Sequence, residues 1–229
     1  MLLYEVLNEV EVRDNPEFTK HTLKCTLRSI RKKLALTTFE YVIPERVNLT
    51  QIRTLIYRFL SEPSGGDRGL SVAAALFQTF GKFFGIYAKV RRHFINASDI
   101  STGLAADIEC VDTEGNLRLV IEVKERNLTL TDVKSSVQKA RRASIREFLF
   151  SSPGINADDS DAIIDLFART WASGSNLYHL SFDELINVGL ALTGEAGQKD
   201  FLENIGRQLN EYNTQPRNRQ RWKELLEEI

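Results

Sequence analysis

Apolar positions at helical spacing predict two helices in the first sixty residues. Residues 16–34 repeat apolar side chains every three to four positions, as an amphipathic helix does. A second helix begins after Asn48, because Gln51 stands three positions later, as in a capping box. Between them, residues 37–43 are β-branched and aromatic, which favours a strand. The first helix also carries a basic stripe, most simply exposed to solvent: Lys20, Lys24, Arg28 and Arg31.

Turn-forming residues at 61–67 (Ser-Glu-Pro-Ser-Gly-Gly-Asp) interrupt this helical region. We therefore expect a mainly helical N-terminal segment, residues 1–62, followed by a core domain at 66–229. Residues 69–84 are apolar on nearly every side, which predicts a central helix that ends at Gly85.

Strand patterns follow this helix. Residues 86–94 and 176–182 are candidate strands, and residues 106–111 and 117–124 form a hairpin around a Gly/Asn-containing turn. Further helices are predicted at 129–150, 159–171, 183–192, 195–211 and 217–229. This order predicts an α/β fold in which a mixed β-sheet is flanked by helices.

Composition narrows the class of protein. The 229 residues are 42% hydrophobic and 27% charged, which excludes a disordered, collagen-like or disulfide-rich chain. The two cysteines lack the spacing of a zinc site and suit a reducing compartment. Residues 1–14 lack the basic segment of a signal peptide, and the apolar stretch at 70–88 is interrupted by polar residues. We therefore expect a cytoplasmic protein.

Charge is unevenly distributed along the chain. The net charge of −1 divides into +3 for residues 1–60, +2 for residues 61–149 and −6 for residues 150–229. A basic part followed by an acidic part is compatible with a polyanion bound on one side of the molecule. The basic surplus is modest, so charge alone does not identify the partner.

The predicted hairpin gathers two carboxylates and an ammonium. Side chains two apart in a strand share a face, so Glu122 and Lys124 project together. A turn near residue 114 places Asp107 opposite residue 121 or 122, within cross-strand reach of Glu122. Two carboxylates suit Mg²⁺, which lowers the pKa of a bound water and neutralises charge on a phosphate. A neighbouring lysine can orient or deprotonate that water.

The alternative is a solvated hairpin, where Asp, Glu and Lys are ordinary residues. Residues 117–123 are apolar on both sides of the strand, however, as in buried central strands. Charges at the end of a buried strand are costly unless they are paired or functional, which favours the catalytic interpretation.

These residues resemble the motif of the PD-(D/E)XK nuclease superfamily: Asp107, fourteen intervening residues, then Glu122-Val123-Lys124 on a strand. Ala106 departs from the motif, which has proline there. More narrowly, residues 96–109, 121–125 and 176–178 are similar to type II restriction endonucleases of the SacI family. The resemblance implies a restriction-endonuclease-like fold and a homodimer. It also implies Mg²⁺-dependent cleavage of double-stranded DNA at a specific short sequence.

The resemblance also assigns roles to residues. Asp107 and Glu122 would hold the metal, the backbone carbonyl of Val123 would be a third ligand, and Lys124 would be the catalytic lysine. Relatives often add a polar residue from the helices before and after the motif. The corresponding accessory candidates here are Gln78 and Gln138.

Basic residues near the hairpin are candidate DNA contacts, because phosphate charge dominates DNA affinity. Those on the helix after the hairpin could equally form a solvated face. Those at the end of the strand before it could hold phosphates or contact guanine edges. The candidates are Arg91, Arg92, Lys134, Lys139, Arg141 and Arg142. The N-terminal helical segment is a further candidate DNA-contacting subdomain.

Two other functions stay open. A structure-specific repair or recombination nuclease would have the same fold, and so would a catalytically inactive DNA-binding protein. Other chemistries have little support, since the chain contains no GxGxxG, GxxxxGK[ST], GxSxG or HExxH motif.

Overall fold

The computed structural model describes residues 2–35, 39–92, 106–142 and 144–229. Contacts divide the chain into two units, Met1–Glu40 and Tyr41–Ile229. The first unit contains helices α1 (Leu2–Arg13) and α2 (Pro16–Ala35), and α2 confirms the helix predicted at 16–34.

Helix α2 exposes both of its predicted stripes. The side chains of its basic stripe are exposed where the structure describes them, and large apolar side chains are exposed beside them. These residues are Lys20, Leu23, Lys24, Leu27, Arg28 and Ile30. The side chain of Arg31 lies outside the described residues.

The second unit begins earlier than the predicted boundary at 62–66. Helix α3 (Leu49–Leu60) buries Ile52 and Phe59 in the same core as helix α4 (Asp67–Phe84). Asn48 caps α3 as predicted, since its side chain accepts from the Gln51 N–H at 2.9 Å. The strand predicted at 37–43 is wrong for residues 39–43, which are irregular, and residues 36–38 lie outside the description.

Five strands form one mixed sheet, which confirms the predicted fold class. They are β1 (Lys89–Arg92), β2 (Ile108–Val111), β3 (Leu117–Val123), β4 (Glu147–Ser151) and β5 (Asn176–Leu180). Their spatial order follows the chain: β1, β2 and β3 pair antiparallel, whereas β3, β4 and β5 pair parallel. The architecture is consistent with a restriction-endonuclease-like fold.

Four further helices in the described part of the chain flank the sheet. They are α5 (Leu130–Arg142), α6 (Ser160–Ala172), α7 (Phe182–Glu211) and α8 (Pro216–Glu227). Helix α7 joins the two helices predicted at 183–192 and 195–211 across a kink at Gly194, which has a φ of 63°. Among the described residues, no helix has the length and apolar character that crossing a membrane requires.

Strand β4 corrects the helix predicted at 129–150. The helix ends at Arg142, and Ser144 has a φ of 54°, which no α-helix accommodates. Phe148 and Phe150 then pack against one face of the sheet and Leu149 against the other. A short strand buried on both faces has no polar alternation, so its pattern resembles that of a buried helix.

The sheet separates two hydrophobic cores. Ile121 of β3 packs with helices α3, α4, α7 and α8 on one face. Val120, its neighbour, packs with α5 and α6 on the other. Alternation along β3 therefore decides which side chains lie under which helices.

Helices α4 and α7 approach closely at Gly189. A Cβ atom there would lie 2.0 Å from Cζ of Phe80. The absence of a side chain at Gly189 therefore allows this close packing.

We expect Gly189→Ala to lower the free energy of unfolding by about 1–3 kcal/mol, because the added methyl overpacks the interface. Urea denaturation measures the change. Val188→Ala, at an adjacent site that is 63% exposed, should shift it by less than about 0.5 kcal/mol. Equal stability of Gly189→Ala and wild type would contradict this packing.

Candidate active site

The pairing of β2 with β3 brings the two predicted carboxylates to one end of the hairpin. Ile108 pairs with Ile121, so Asp107, one residue before β2, lies opposite Glu122. Oδ2 of Asp107 accepts a hydrogen bond from the Val123 N–H at 2.8 Å. This is the cross-strand placement expected from the sequence.

The hairpin turn holds this register. Oδ1 of Asp112 accepts from the backbone N–H groups of Glu114 and Asn116 at 3.0 and 2.8 Å. Gly115 has a φ of 85°, which residues with a Cβ rarely adopt. Because register and turn geometry are coupled in a hairpin, these contacts help to place Asp107 beside Glu122.

Glu122 and Lys124 form an ion pair at the end of β3. Nζ of Lys124 lies 2.7 Å from Oε1 of Glu122, and Glu122 is buried. Partial burial would lower the pKa of Lys124, but the carboxylates of Glu122, Asp107 and Asp132 outweigh it and raise that pKa. The lysine is therefore held as an ammonium at neutral pH.

Asp132 joins the site from the first turn of α5. Arg126 donates to both of its carboxylate oxygens, at 2.8 and 2.9 Å, and the hydroxyl of Thr129 donates at 2.6 Å. Burial raises the pKa of Asp132, but these hydrogen bonds prevail and lower it to about 2. Asp132 therefore carries a fixed negative charge near Lys124.

A pocket of about 350 Å³ opens beside Lys124. Its walls combine the loop before α4 with the end of β3 and the residues that follow: Gly65, Gly66, Val123, Lys124, Glu125 and Arg126. Helix α4 approaches β3 closely here, since a Cβ on Gly69 would lie 3.5 Å from Cγ1 of Val123. The lysine thus borders open space large enough for a small group.

The donor chemistry fits Mg²⁺. Asp107 and Glu122 provide two adjacent carboxylates, and the Val123 carbonyl belongs to the same strand end. Mg²⁺ is commonly bound through one or two carboxylates and keeps several waters. Within the described parts of the chain, no three His, Cys, Asp or Glu side chains form a metal-binding group. Any metal here would therefore depend on these two carboxylates, the carbonyl and water.

Sequence reasoning missed a third carboxylate on this face. Glu109 is buried in β2, pairs with Val120 of β3 and stands two positions after Asp107, which directly precedes the strand. Arg91 lies 3.9 Å from it across the β1–β2 pair. The spacing of two residues between Asp107 and Glu109 was the sequence signal that could have identified Glu109. For Asp132 the sequence offers only its place three residues after Thr129, which is the spacing of a helix start.

The two neighbouring arginines of β1 face opposite ways. Arg91 is exposed and remains a candidate DNA contact. Arg92 is buried, donates to Oγ of Ser71 at 2.8 Å and stacks 4.2 Å over the ring of Tyr212. Burial lowers its pKa to about 10. This interior position argues against the DNA contact expected for Arg92.

The other candidates divide into exposed and remote residues. Lys134, Lys139 and Gln138 are exposed on α5. The side chains of Arg141 and Arg142 lie outside the described residues. Gln78 lies nine residues along α4 from Gly69, the point where α4 meets β3, which is about 13 Å at 1.5 Å per residue. That separation argues against the accessory role expected for Gln78.

Comparison with known proteins identifies one family. Residues 46–153 match the model of the SacI restriction endonuclease C-terminal domain. The matched segment is just under half of the chain and contains Asp107, Glu122 and Lys124. No curated protein matches the chain. The match confirms the resemblance to SacI-type restriction endonucleases. This relationship indicates a nuclease, which is a hydrolase.

The Asp132 cluster predicts a pH-dependent contribution to stability. Because its folded pKa lies below its ordinary value of 3.8, the stabilisation is complete above about pH 4 and is lost as pH falls towards about 2. We expect Asp132→Asn to unfold at a lower temperature than wild type at pH 7, with a difference that shrinks below pH 4. Thermal unfolding monitored by circular dichroism from pH 7 to pH 2 measures both.

Asp165→Asn is the matched control, because it removes another Asp–Arg pair, with Arg169, whose side chains are both exposed. Exposed ion pairs contribute little, so its unfolding temperature should stay close to that of wild type. A pH-independent deficit in Asp132→Asn would contradict the titration argument.

Proposed function

We propose that this protein is a Mg²⁺-dependent endodeoxyribonuclease that cleaves double-stranded DNA at a specific short sequence, as a type II restriction endonuclease does. One observation carries the proposal. Asp107, Glu122 and Lys124 meet at one strand end within the segment that matches a restriction endonuclease family.

Each of the three side chains has a role in this proposal. Asp107 and Glu122 hold Mg²⁺ with the Val123 carbonyl, and bound Mg²⁺ supplies charge neutralisation at the scissile phosphate. The Lys124 ammonium donates hydrogen bonds to a phosphate oxygen and to the attacking water. It stabilises the negative charge that grows in the transition state.

The local electrostatics support this role for Lys124. Lys124 is ion-paired with Glu122 at 2.7 Å, and in this proposal it acts as a cation and hydrogen-bond donor. A lysine left among carboxylates alone would attract no phosphate. A metal held by Asp107 and Glu122 would neutralise part of that negative charge.

The exposed basic residues complete the proposed DNA-binding surface. Lys134 and Lys139 lie on α5, whose first turn holds Asp132 beside the site. Arg91 lies on the neighbouring strand β1. Lysine and arginine at these positions would contact phosphates and fix the duplex in register, without carrying sequence information.

Incubation with a sequenced plasmid tests the activity. Wild type with Mg²⁺ should give discrete fragments, and EDTA should abolish cleavage. Asp107→Ala, Glu122→Ala and Lys124→Ala should each lose at least about 100-fold in rate, because each removes a group that acts in the transition state. Their dissociation constants for the same DNA, measured by fluorescence anisotropy, should stay close to that of wild type.

Lys199→Ala is the control, since it removes an exposed lysine of α7 and should leave the rate unchanged. Digestion of ends, flaps or junctions without discrete plasmid fragments would indicate the structure-specific nuclease instead. DNA binding with no Mg²⁺-dependent cleavage of any substrate would indicate the inactive DNA-binding protein.

A two-fold recognition sequence is matched by a two-fold protein, so we also propose a homodimer. Sedimentation equilibrium at micromolar concentration should give twice the chain mass of 26.1 kDa. The DNA-bound species should carry two chains per duplex. A monomer both with and without DNA would contradict this part of the proposal.

A further inference from the structure

Glu125, the residue after Lys124, is tied to the start of helix α4. Its Oε1 accepts a hydrogen bond from Oγ of Ser64 at 2.5 Å and lies 3.4 Å from the backbone nitrogen of Gly69. Ser64 is buried and its Oγ accepts from the Arg68 N–H at 3.1 Å. Glu125 therefore connects the exit of β3 to the first turn of α4.

The first turn of α4 is held in place by hydrogen bonds of Arg68. The buried guanidinium of Arg68 donates to the carbonyl of Phe59 at 2.8 Å, to Glu62 at 3.0 Å and to Asn218 at 2.9 Å. These contacts join α3, α4 and α8. A group attached to this turn is thus attached to the main core.

The segment between Glu122 and Glu125 is fixed on two sides. The Lys124 N–H donates to the carbonyl of Ser151 on β4 at 2.9 Å. Glu125 fixes the other side through Ser64. The two attachments are at the backbone of Lys124 itself and at the next residue, so the direction in which Lys124 leaves the strand depends on both.

We propose that Glu125 is a positioning residue for Lys124, which acts through its hydrogen bond with Ser64 to hold the strand end against α4. The inference rests on the proposed nuclease function. Because Glu125 serves as a hydrogen-bond acceptor here, we expect its side-chain oxygen to be essential and its charge to matter much less. This distinguishes it from a metal ligand, for which the charge is essential.

The packing at Gly69 supports the same assignment. A Cβ at Gly69 would lie 3.4 Å from Cγ of Glu125, so the stem of the glutamate runs directly along the helix. The carboxylate is consequently directed to Ser64 and the helix backbone. Glu125 directly follows Lys124 in the chain. A small displacement of the backbone at Glu125 would therefore also displace Lys124.

Three single variants and one double variant test the proposal in single-turnover cleavage of a defined duplex with Mg²⁺. Glu125→Ala should slow cleavage by about 10- to 100-fold, because misplacing a catalytic group by about 1 Å has an effect of that size. Glu125→Gln should restore most of the rate, since its amide oxygen accepts the same hydrogen bond. Ser64→Ala should resemble Glu125→Ala, and the double variant should lose no more than either alone.

Two further measurements separate positioning from general destabilisation. The dissociation constant for the duplex should stay unchanged in Glu125→Ala, so the loss is confined to the chemical step. Hydrogen exchange of peptides covering residues 119–127 should rise in Glu125→Ala and not in Glu125→Gln. Glu45→Ala, which removes an exposed carboxylate elsewhere, is the control and should change neither quantity.

Each contrary result overturns the inference in a recognisable way. Loss of activity in Glu125→Gln equal to that in Glu125→Ala would assign a charge-dependent role, such as metal binding. Unchanged exchange with slowed cleavage would show that Glu125 acts directly. Wild type that cleaves no DNA defeats the proposed function, whereas the exchange measurement still decides whether the Ser64–Glu125 contact holds the strand end.

Discussion

The antiparallel register between β2 and β3 is the constraint on which the site depends. Pairing of Ile108 with Ile121 puts Asp107 opposite Glu122. It also sends Ile121 into one core and Val120 into the other. A slip of one residue would exchange the two faces, placing Glu122 among the helices of the first core and moving it away from Asp107. The hydrophobic cores and the candidate chemistry are thus set by the same hydrogen-bonding pattern.

The charges at this strand end compensate one another. A buried glutamate or lysine is costly in isolation, and each here has an opposite charge within hydrogen-bonding distance. Asp132 and Arg126 extend the arrangement to the first turn of α5. The network keeps Lys124 charged and beside a pocket in the protein as it stands. In the proposed enzyme, a metal ion bound by the carboxylates would share them with Lys124, and the same side chains would form both sets of interactions.

Helix α4 links the core to this strand end. Its apolar residues pack against the sheet, and its Gly69 allows close approach to Val123 and Glu125. Ser64, just before the helix, donates a hydrogen bond to Glu125. The same helix carries Gln78 about 13 Å further along, away from this contact. The family resemblance suggested a polar residue of this helix for the site. The structure instead brings the start of the helix to the end of β3, where Gly69 packs against Val123 and Glu125.

Local pattern was sufficient for the helix caps at Asn48 and Gly85, the hairpin and the expected meeting of Asp107 with Glu122, because each depends on neighbouring residues or one tight turn. It failed for β4, whose double-sided burial leaves no periodicity to distinguish strand from helix. It could not separate Arg91 from Arg92 either, since alternation gives two faces without saying which one the helices cover. Glu125 and Ser64 are 61 positions apart, and only the packing of α4 against β3 joins them. Contacts between distant segments carry no local signature, so the tertiary structure decided them.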